Sequence, residues 1–229
     1  MRLESAMDYP QVLDEHATLA AVVAGASLAR YGDGEFNLCR GRGIPCQRFD
    51  ARLAGRLREI LQDSGDCLVG LPNIHSDTPK AAFWSRYLDA AELLVDRPYV
   101  SAFISRPDSA PWVDTPAYWE RLESLWEFED VLLVRGSGRS LTAEDLLCTR
   151  RQRELVCRPL HAWSDYRRIL QAIGRPHRVL LCLGPTATVL AVDLCAKGVH
   201  AIDLGHVGLF LKKHRRGEPL AVTATDKAS

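Results

Sequence analysis

Residues 179–206 read VLLCLGPTATVLAVDLCAKGVHAIDLGH, and this stretch contains a complete strand–turn–helix–strand unit. The apolar runs Val179–Leu183 and Ala201–Leu204 have the length and composition of buried strands. An apolar helical stripe lies between them and ends at a glycine; it consists of Ala187, Leu190, Ala191 and Leu194, with Gly198 after it. Because two parallel strands need such a helical crossover, the stretch predicts an α/β fold.

The same alternation continues through the rest of the chain. Five further apolar runs are predicted strands: Ser27–Tyr31, Cys67–Leu71, Tyr99–Ile104, Val131–Val134 and Leu155–Cys157. Two further stripes predict helices, one at Leu53, Leu57, Ile60 and Leu61 and one at Tyr166, Ile169, Leu170 and Ile173. Ser164 is the expected N-cap of the second helix, and Gly174 follows its end. The sequence therefore predicts a Rossmann-like, mainly parallel sheet with helices on both faces.

Composition limits the cellular setting and the partners. The 229 residues suit one α/β domain, which we place at residues 1–216, followed by a polar tail at residues 217–229. Lysine plus arginine and aspartate plus glutamate both number 29, so the net charge gives no attraction to nucleic acid. The seven cysteines form no CxxC pair and the N-terminus lacks an apolar signal segment. We therefore expect a cytoplasmic protein without disulfides or structural zinc.

The basic run Lys212–Arg216 ends a predicted helix. Cationic residues are expected at a solvated helix C-terminus, and we favour that interpretation over contact with anionic lipid. No apolar run is long enough to cross a bilayer, so we expect at most peripheral membrane contact. The sequence leaves a homo-oligomer open.

The most informative polar stretch, Arg30 to Glu35, follows the first predicted strand, where ligands of parallel sheets bind. In extended backbone, Asp33 and Glu35 would point to the same side, and such hard oxygens suit Mg²⁺ or Mn²⁺. The flanking Gly32 and Gly34 let the backbone approach a ligand closely, and Arg30 offers a positive charge for phosphate. A solvated Gly-Asp-Gly turn without a ligand is the alternative.

A second candidate is the turn Gly184-Pro185-Thr186, which leads from a strand into an amphipathic helix. Free N–H groups and the dipole at a helix start favour an anion, and Thr186 could cap the helix or bind phosphate. Pro185 suits the first helical turn, where its missing N–H costs nothing. An ordinary strand-to-helix turn is an equally good interpretation.

Other polar residues follow the remaining strands. His206 could bind a metal or move a proton, and Asp203 could orient a neighbour. Ser105 is a candidate for binding a ligand, and the loop Arg135–Arg139 offers two guanidiniums that suit a diphosphate or a sugar acid. A set that could contact sugar hydroxyls comprises Asn73, His75 and Asp77. Each of these residues could instead serve a turn or a surface loop.

Taken together, RYGDGEF at residues 30–36 and GPTATVLAVDLCAKGVHAIDLGH at residues 184–206 resemble the GT-D family of bacterial glycosyltransferases. The resemblance spans about residues 9–216. It implies a Rossmann-like fold and an Asp-x-Glu metal motif, which maps onto Asp33 and Glu35. It also implies a nucleotide-diphosphate sugar donor, typically UDP-linked, with Mn²⁺ or Mg²⁺. The segment 184–187, Asp203 and His206 match the C-terminal motif of the family.

The chain departs from this family after its central strand. Members tend to carry an acidic, glycine-containing stretch and then Gly-Asn-Asp-Leu, whereas residues 135–147 here read RGSGRSLTAEDLL. The sugar and the acceptor, which could be a glycan, a glycolipid or a glycoprotein, therefore stay open. Glu35, Asp108 and His206 are candidates for a general base. Two rival functions are a non-catalytic nucleotide-binding module and a metal-dependent phosphohydrolase on the same fold.

Overall fold

The computed structural model describes residues 9–74, 81–86, 92–127, 130–136, 138–146, 149 and 151–222. Within these ranges the strands are β1 (Leu28–Arg30), β2 (Leu68–Leu71), β3 (Val100–Ser101), β4 (Val131–Arg135), β5 (Gln152–Val156), β6 (Arg178–Cys182) and β7 (His200–Asp203). All pairings are parallel, and the strands lie in the order β3-β2-β1-β7-β6-β4-β5. The predicted parallel sheet is confirmed, and each predicted strand has a counterpart.

The described helices are α1 (Glu15–Val23), α2 (Asp33–Cys39), α3 (Ala51–Gln62), α4 (Ala81–Trp84), α5 (Pro116–Glu123), α6 (Tyr166–Ile173), α7 (Pro185–Cys195) and α8 (Val207–Arg216). The crossovers through α3, α6 and α7 run in one direction across the sheet, and the crossover through α5 runs in the other. Because such connections are right-handed, they place α3, α6 and α7 on one face and α5 on the opposite face.

Contacts between the helices agree with these two layers. On the first face, Asp193 of α7 accepts hydrogen bonds from Arg56 of α3, at 2.7 Å, and from the Tyr166 hydroxyl of α6. On the second face, the His214 ring of α8 stacks on Trp119 of α5 with ring centroids 4.9 Å apart. The helix α1 also contacts α5. The expectation of helices on both faces is confirmed.

Helix α7 occupies the centre of the first face and differs from its prediction. It packs on β1 and β7 and is buried along nearly its whole length, whereas the sequence suggested an amphipathic helix. Small and β-branched side chains allow this close packing, and the Thr188 hydroxyl donates to the carbonyl of Arg30 at 3.0 Å. Each fully buried valine or leucine contributes about 1.5–3 kcal/mol, so α7 fixes the middle of the sheet.

Two predicted strands have different bounds in the structure. β3 contains only Val100–Ser101, because the chain turns at residues 102–105 and the Arg106 N–H donates to the carbonyl of Phe103 at 2.9 Å. β5 begins at Gln152 rather than Leu155. It pairs with β4 and forms one edge of the described sheet. Its side chains are mostly exposed, so the apolar pattern that identifies buried strands is weak there.

The helix ends also differ in one place. Ser164 is not the N-cap of α6, since it lies within a 3₁₀ turn at Ala162–Asp165 and its hydroxyl donates to the carbonyl of His161 at 2.7 Å. That local bond uses the hydroxyl of Ser164 within the turn, before α6 starts. Gly174 ends α6 as predicted, with a φ of 67°.

The described part of the C-terminal segment contacts the domain. Lys213 donates to the carbonyl of Ala221 at 2.6 Å, and Val222 packs against the core. The domain boundary at residue 216 stays a prediction, and residues 223–229 lie outside the described ranges. Of the helices in those ranges, none combines the length and apolar character needed to traverse a bilayer.

Candidate active site

A crevice is expected where the chain leaves neighbouring strands toward opposite faces of the sheet. β1 and β7 are such neighbours, since the chain leads from β1 to α3 on one face and from β7 to α8 on the other. The candidate residues predicted near Asp33, near Asp203 and at Gly184 all follow strands at this edge. The topology therefore brings the two sequence motifs together.

Arg30 is the last residue of β1, and its buried side chain lies next to this crevice. Its Nη1 donates to the carbonyl of Ala102 at 2.9 Å and to Ser105 Oγ at 2.6 Å, and its Nη2 lies 3.4 Å from Asp203 Oδ1. Ser105 Oγ in turn donates to the carbonyl of Leu204 at 2.9 Å. Burial raises the pKa of Asp203, while the Arg30 guanidinium opposes the shift. Arg30, Ser105 and Asp203 therefore tie three strand ends together, and their predicted contacts with a ligand stay predictions.

The backbone at Asp33 and Glu35 is helical, which corrects the predicted extended turn. α2 begins at Asp33 with Gly32 as its N-cap, and Glu35 Oε2 accepts from the Gly32 N–H at 2.8 Å. A glutamate three residues after the cap stabilises a helix start by this bond. Residues two apart on a helix diverge by about 200°, so the two side chains leave the backbone in different directions, but Glu35 folds back to the helix start, where Asp33 lies. Asp33 is exposed and Glu35 is half-buried.

The electrostatics of the two carboxylates suit a cation. The pKa of Glu35 is raised to about 7, mainly by burial and also by the charges of Asp203 and Asp33, while the hydrogen bond from the Gly32 N–H opposes the shift. Neither Asp33 nor Glu35 forms an ion pair with another residue in the described part of the chain. Two carboxylates completed by a ligand's phosphates are a typical Mg²⁺ environment, so the donor set fits a hard divalent cation.

His206 lies just before α8, in a basic environment. The pKa of His206 is lowered to about 3, mainly by burial and also by the charges of Arg139 and Arg106, so the imidazole is neutral. Across the described ranges, no three His, Cys, Asp or Glu residues are placed to hold a metal together. The structure thus does not assemble Asp33, Glu35 and His206 as a preformed three-ligand site. His206 as the third ligand stays a prediction that requires rearrangement.

Asp108 is a poor candidate for the general base. Its two carboxylate oxygens accept from Arg106 Nε at 2.8 Å and from Arg106 Nη2 at 3.0 Å. A bidentate guanidinium stabilises the ionised carboxylate and makes it less able to take a proton. Glu35 and His206 stay the better candidates of the three.

A cavity of about 50 Å³ lies at the carboxyl ends of β4, β6 and β7. Its walls include Cys46, Gly136, Arg139, Gly184, Pro185 and His206. Gly34 adjoins it, because a Cβ on Gly34 would lie 3.7 Å from Pro185 Cγ. The first turn of α2, the start of α7 and His206 therefore border one space.

The start of α7 faces this cavity. Gly184 is the N-cap with a φ of 56°, which favours glycine, and Pro185 is the first helical residue as predicted. Thr186 is buried, and its hydroxyl has no hydrogen-bond partner among the described residues. A buried hydroxyl is normally satisfied, so this one fits a missing acceptor such as a phosphate oxygen.

The sequence offered Arg135 and its loop as a diphosphate site, but the structure engages Arg135 elsewhere. Arg135 Nε donates to Glu154 of β5, whereas Arg139 lines the cavity. Cys46 also lines the cavity and was not among the predicted site residues; its position in a Pro-Cys-Gln turn gave no signal. Ser137 of the same loop, together with His75 and Asp77, lies outside the described residues.

Comparison with known proteins gives this geometry a context. The chain matches the family described as "Glycosyltransferase GT-D fold" over residues 28–225. "Probable glycosyl transferase Gly" of Streptococcus gordonii is 36% identical over 205 residues, covering 80% of this chain and 30% of the relative. Glycosyltransferase GlyD of Streptococcus pneumoniae serotype 4 is 34% identical over 225 residues, covering 90% of this chain and 28% of the relative. The chain thus spans about three-tenths of the length of these relatives.

Solved structures that resemble this chain point to the same family. One, described as "The highly conserved domain of unknown function 1792 has a distinct glycosyltransferase fold", matches with a TM-score of 0.83 and 34% identity, covering 96% of this chain and 86% of that one. Another, described as "A New Glycosyltransferase (DUF1792) from Streptococcus sanguinis", matches with a TM-score of 0.80 and 32% identity, covering 92% and 86%. The resemblance drawn from the two motifs is confirmed. The chain therefore belongs to the GT-D-fold family of glycosyltransferases.

Proposed function

We propose that this domain is a metal-dependent glycosyltransferase that uses a nucleotide-diphosphate sugar, with a UDP-linked donor favoured. The acceptor would be a glycan, a glycolipid or a glycoprotein. The observation that carries the proposal is the pair of carboxylates, Asp33 and Glu35, which form no ion pair within the described chain and lie beside a cavity bordered by the start of α7. Carboxylates and a helix start are complementary to a divalent cation and a diphosphate.

The proposed chemistry follows from where charge develops. In sugar transfer, the bond from the anomeric carbon to phosphate breaks and negative charge builds up on the diphosphate. Asp33 and Glu35 would hold a divalent cation, which when bound supplies Lewis-acid stabilisation of that leaving group. The Thr186 N–H and the dipole of α7 would add preorganised positive potential. His206, held neutral by its surroundings, could accept the proton of an acceptor hydroxyl.

The direct test is a panel of nucleotide sugars with Mn²⁺, read by nucleotide release. We expect release from one donor class, strongest with a UDP sugar, stimulated by an acceptor and abolished by a chelator. Binding of a donor without turnover under every acceptor would favour the non-catalytic module instead. Phosphate release from a simple monoester would favour the phosphohydrolase.

A second prediction concerns Thr186. Thr186→Val should stabilise the unliganded protein, because a methyl group replaces a buried hydroxyl without a described partner. A gain of about 1 kcal/mol corresponds to a rise of roughly 2–4 °C in Tm for a chain of this size. If the hydroxyl serves the donor diphosphate, the rise in Tm caused by nucleotide and Mn²⁺ should be smaller in the variant. Thermal melting with and without UDP measures both effects.

Thr188→Val is the matched control on the same helix. The Thr188 hydroxyl donates to the buried carbonyl of Arg30, so its removal should lower Tm instead. Equal responses of the two variants would contradict the role given to Thr186. A nucleotide-bound structure with the diphosphate far from the Thr186 N–H would remove that role altogether.

A further inference from the structure

Arg139 is the one charged side chain among the described residues that line the cavity. No hydrogen bond or ion pair joins its guanidinium to another residue of the described chain, and its side chain is half-buried. Its charge nevertheless acts on two other lining residues, His206 and Cys46. Arg139 therefore brings to the cavity wall a positive charge that no ion pair within the described chain neutralises, although the charges of Glu35 and Asp33 also act on Cys46.

The neighbouring guanidiniums already form ion pairs within the protein. Each has an acidic partner: Arg30 pairs with Asp203, Arg106 with Asp108, and Arg135 with Glu154. To bind a ligand, any of these three arginines would have to give up a charge-assisted hydrogen bond. Its acidic partner would then be left without a compensating charge. Arg139 faces no such competition within the described residues.

The backbone around Arg139 is held firmly. The Leu209 N–H of α8 donates to the carbonyl of Arg139 at 3.0 Å, and Ser140 Oγ donates to the carbonyl of Cys182 at 3.2 Å. Gly208 packs directly on this loop, since a Cβ there would lie 2.1 Å from the Ser140 carbonyl oxygen. The loop thus fixes Arg139 on the cavity wall together with Gly184 and Pro185, which begin α7.

We propose that Arg139, rather than Arg135, is the guanidinium that binds the diphosphate of the donor. The inference rests on the proposed function and assigns the cavity between Arg139 and the start of α7 to the phosphates. A guanidinium can bind two phosphate oxygens at once, and the helix start adds N–H donors from another side. Arg139 then distinguishes a diphosphate-linked sugar from an uncharged one, because only the former supplies the anion.

Isothermal titration calorimetry with inorganic pyrophosphate, UDP and uridine tests the proposal, each in excess Mg²⁺. Pyrophosphate is the part shared by all nucleoside-diphosphate donors, so the result does not depend on the base. For Arg139→Gln we expect a ten- to hundredfold loss of affinity for pyrophosphate and UDP, as for a hydrogen bond to a charged group. Uridine affinity should be unchanged. Arg139→Lys should recover part of the loss, since it keeps the charge but not the bidentate geometry.

Arg135→Gln is the matched control from the same loop, and its affinity for pyrophosphate should stay within about threefold of the parent. If Arg139→Gln and Arg139→Lys both keep parental affinity for pyrophosphate while the parent binds it, the assignment of Arg139 is overturned and the proposed function survives. If the parent binds neither UDP nor pyrophosphate, the proposed function fails, and the inference fails with it. A larger loss in Arg135→Gln than in Arg139→Gln would reverse the assignment.

Discussion

Asp33→Asn and Glu35→Gln are each expected to lower metal-dependent nucleotide release by roughly a hundredfold or more. Loss of one ligand to a charge that develops in the transition state costs about 3–4 kcal/mol, by analogy with an oxyanion donor, at about 1.4 kcal/mol per decade of rate. Folding should be unaffected. Asp33 is exposed, and the amide oxygen of a glutamine at position 35 can still accept the Gly32 N–H.

Nucleotide release over a Mn²⁺ titration, together with thermal melting of each variant, measures this effect. Glu120→Gln, which removes an exposed carboxylate from α5, is the control and should match the parent. His206→Ala separates two roles, since loss of a third ligand weakens Mn²⁺ binding, whereas loss of a proton acceptor lowers turnover at saturating Mn²⁺. If the carboxylate variants fold and keep near-parental, chelator-sensitive turnover, the metal lies elsewhere.

Gly208→Ala is expected to destabilise the protein by about 1–3 kcal/mol, the usual cost of forcing an extra carbon into a packed site. The new Cβ would lie 2.1 Å from the carbonyl oxygen of Ser140 and 2.5 Å from the backbone nitrogen of Leu141. Both contacts are with backbone, so α8 or the loop must move. In an open helix position the same substitution would stabilise, because alanine has the higher helix propensity.

Gly55→Ala provides that open position. Gly55 lies in the interior of α3, and nothing approaches its hypothetical Cβ within 4 Å. We expect a gain of about 0.5–1 kcal/mol. Urea unfolding of both variants gives the free energies of unfolding, and the two changes should have opposite signs. A stabilised Gly208→Ala protein would show that α8 and the loop do not pack as described.

The architecture could be predicted because buried parallel strands are contiguous apolar runs. Val179–Leu183 and Cys67–Leu71 carry that pattern clearly, and the strand that does not, β5, was the one placed too late. β5 lies at an edge of the described sheet and exposes most of its side chains, so apolar content does not mark it, whereas the other edge strand, β3, is buried.

The sequence predicted that the two polar motifs meet at one edge of the sheet, but it did not predict their local geometry. The extended turn at Asp33 was wrong, although a glutamate three residues after Gly32 is a recognisable helix-start pattern. The choice between Arg135 and Arg139 could not be made from sequence, because it depends on Glu154, which β4 and β5 bring beside Arg135. The burial of Arg30 by Ser105 and Asp203 likewise depends on residues far apart in the chain.

The burial of α7 along nearly its whole length has a consequence for how strongly its first turn attracts an anion. At an exposed helix, water and dissolved ions weaken the attraction to about 0.3–1 kcal/mol, whereas partly buried geometries reach about 2 kcal/mol. The body of α7 is surrounded by apolar side chains, which form a medium of low dielectric constant where electrostatic interactions are stronger than in water. The attraction of a phosphate to Gly184 and Thr186 should therefore persist at ionic strengths that screen its attraction to surface arginines.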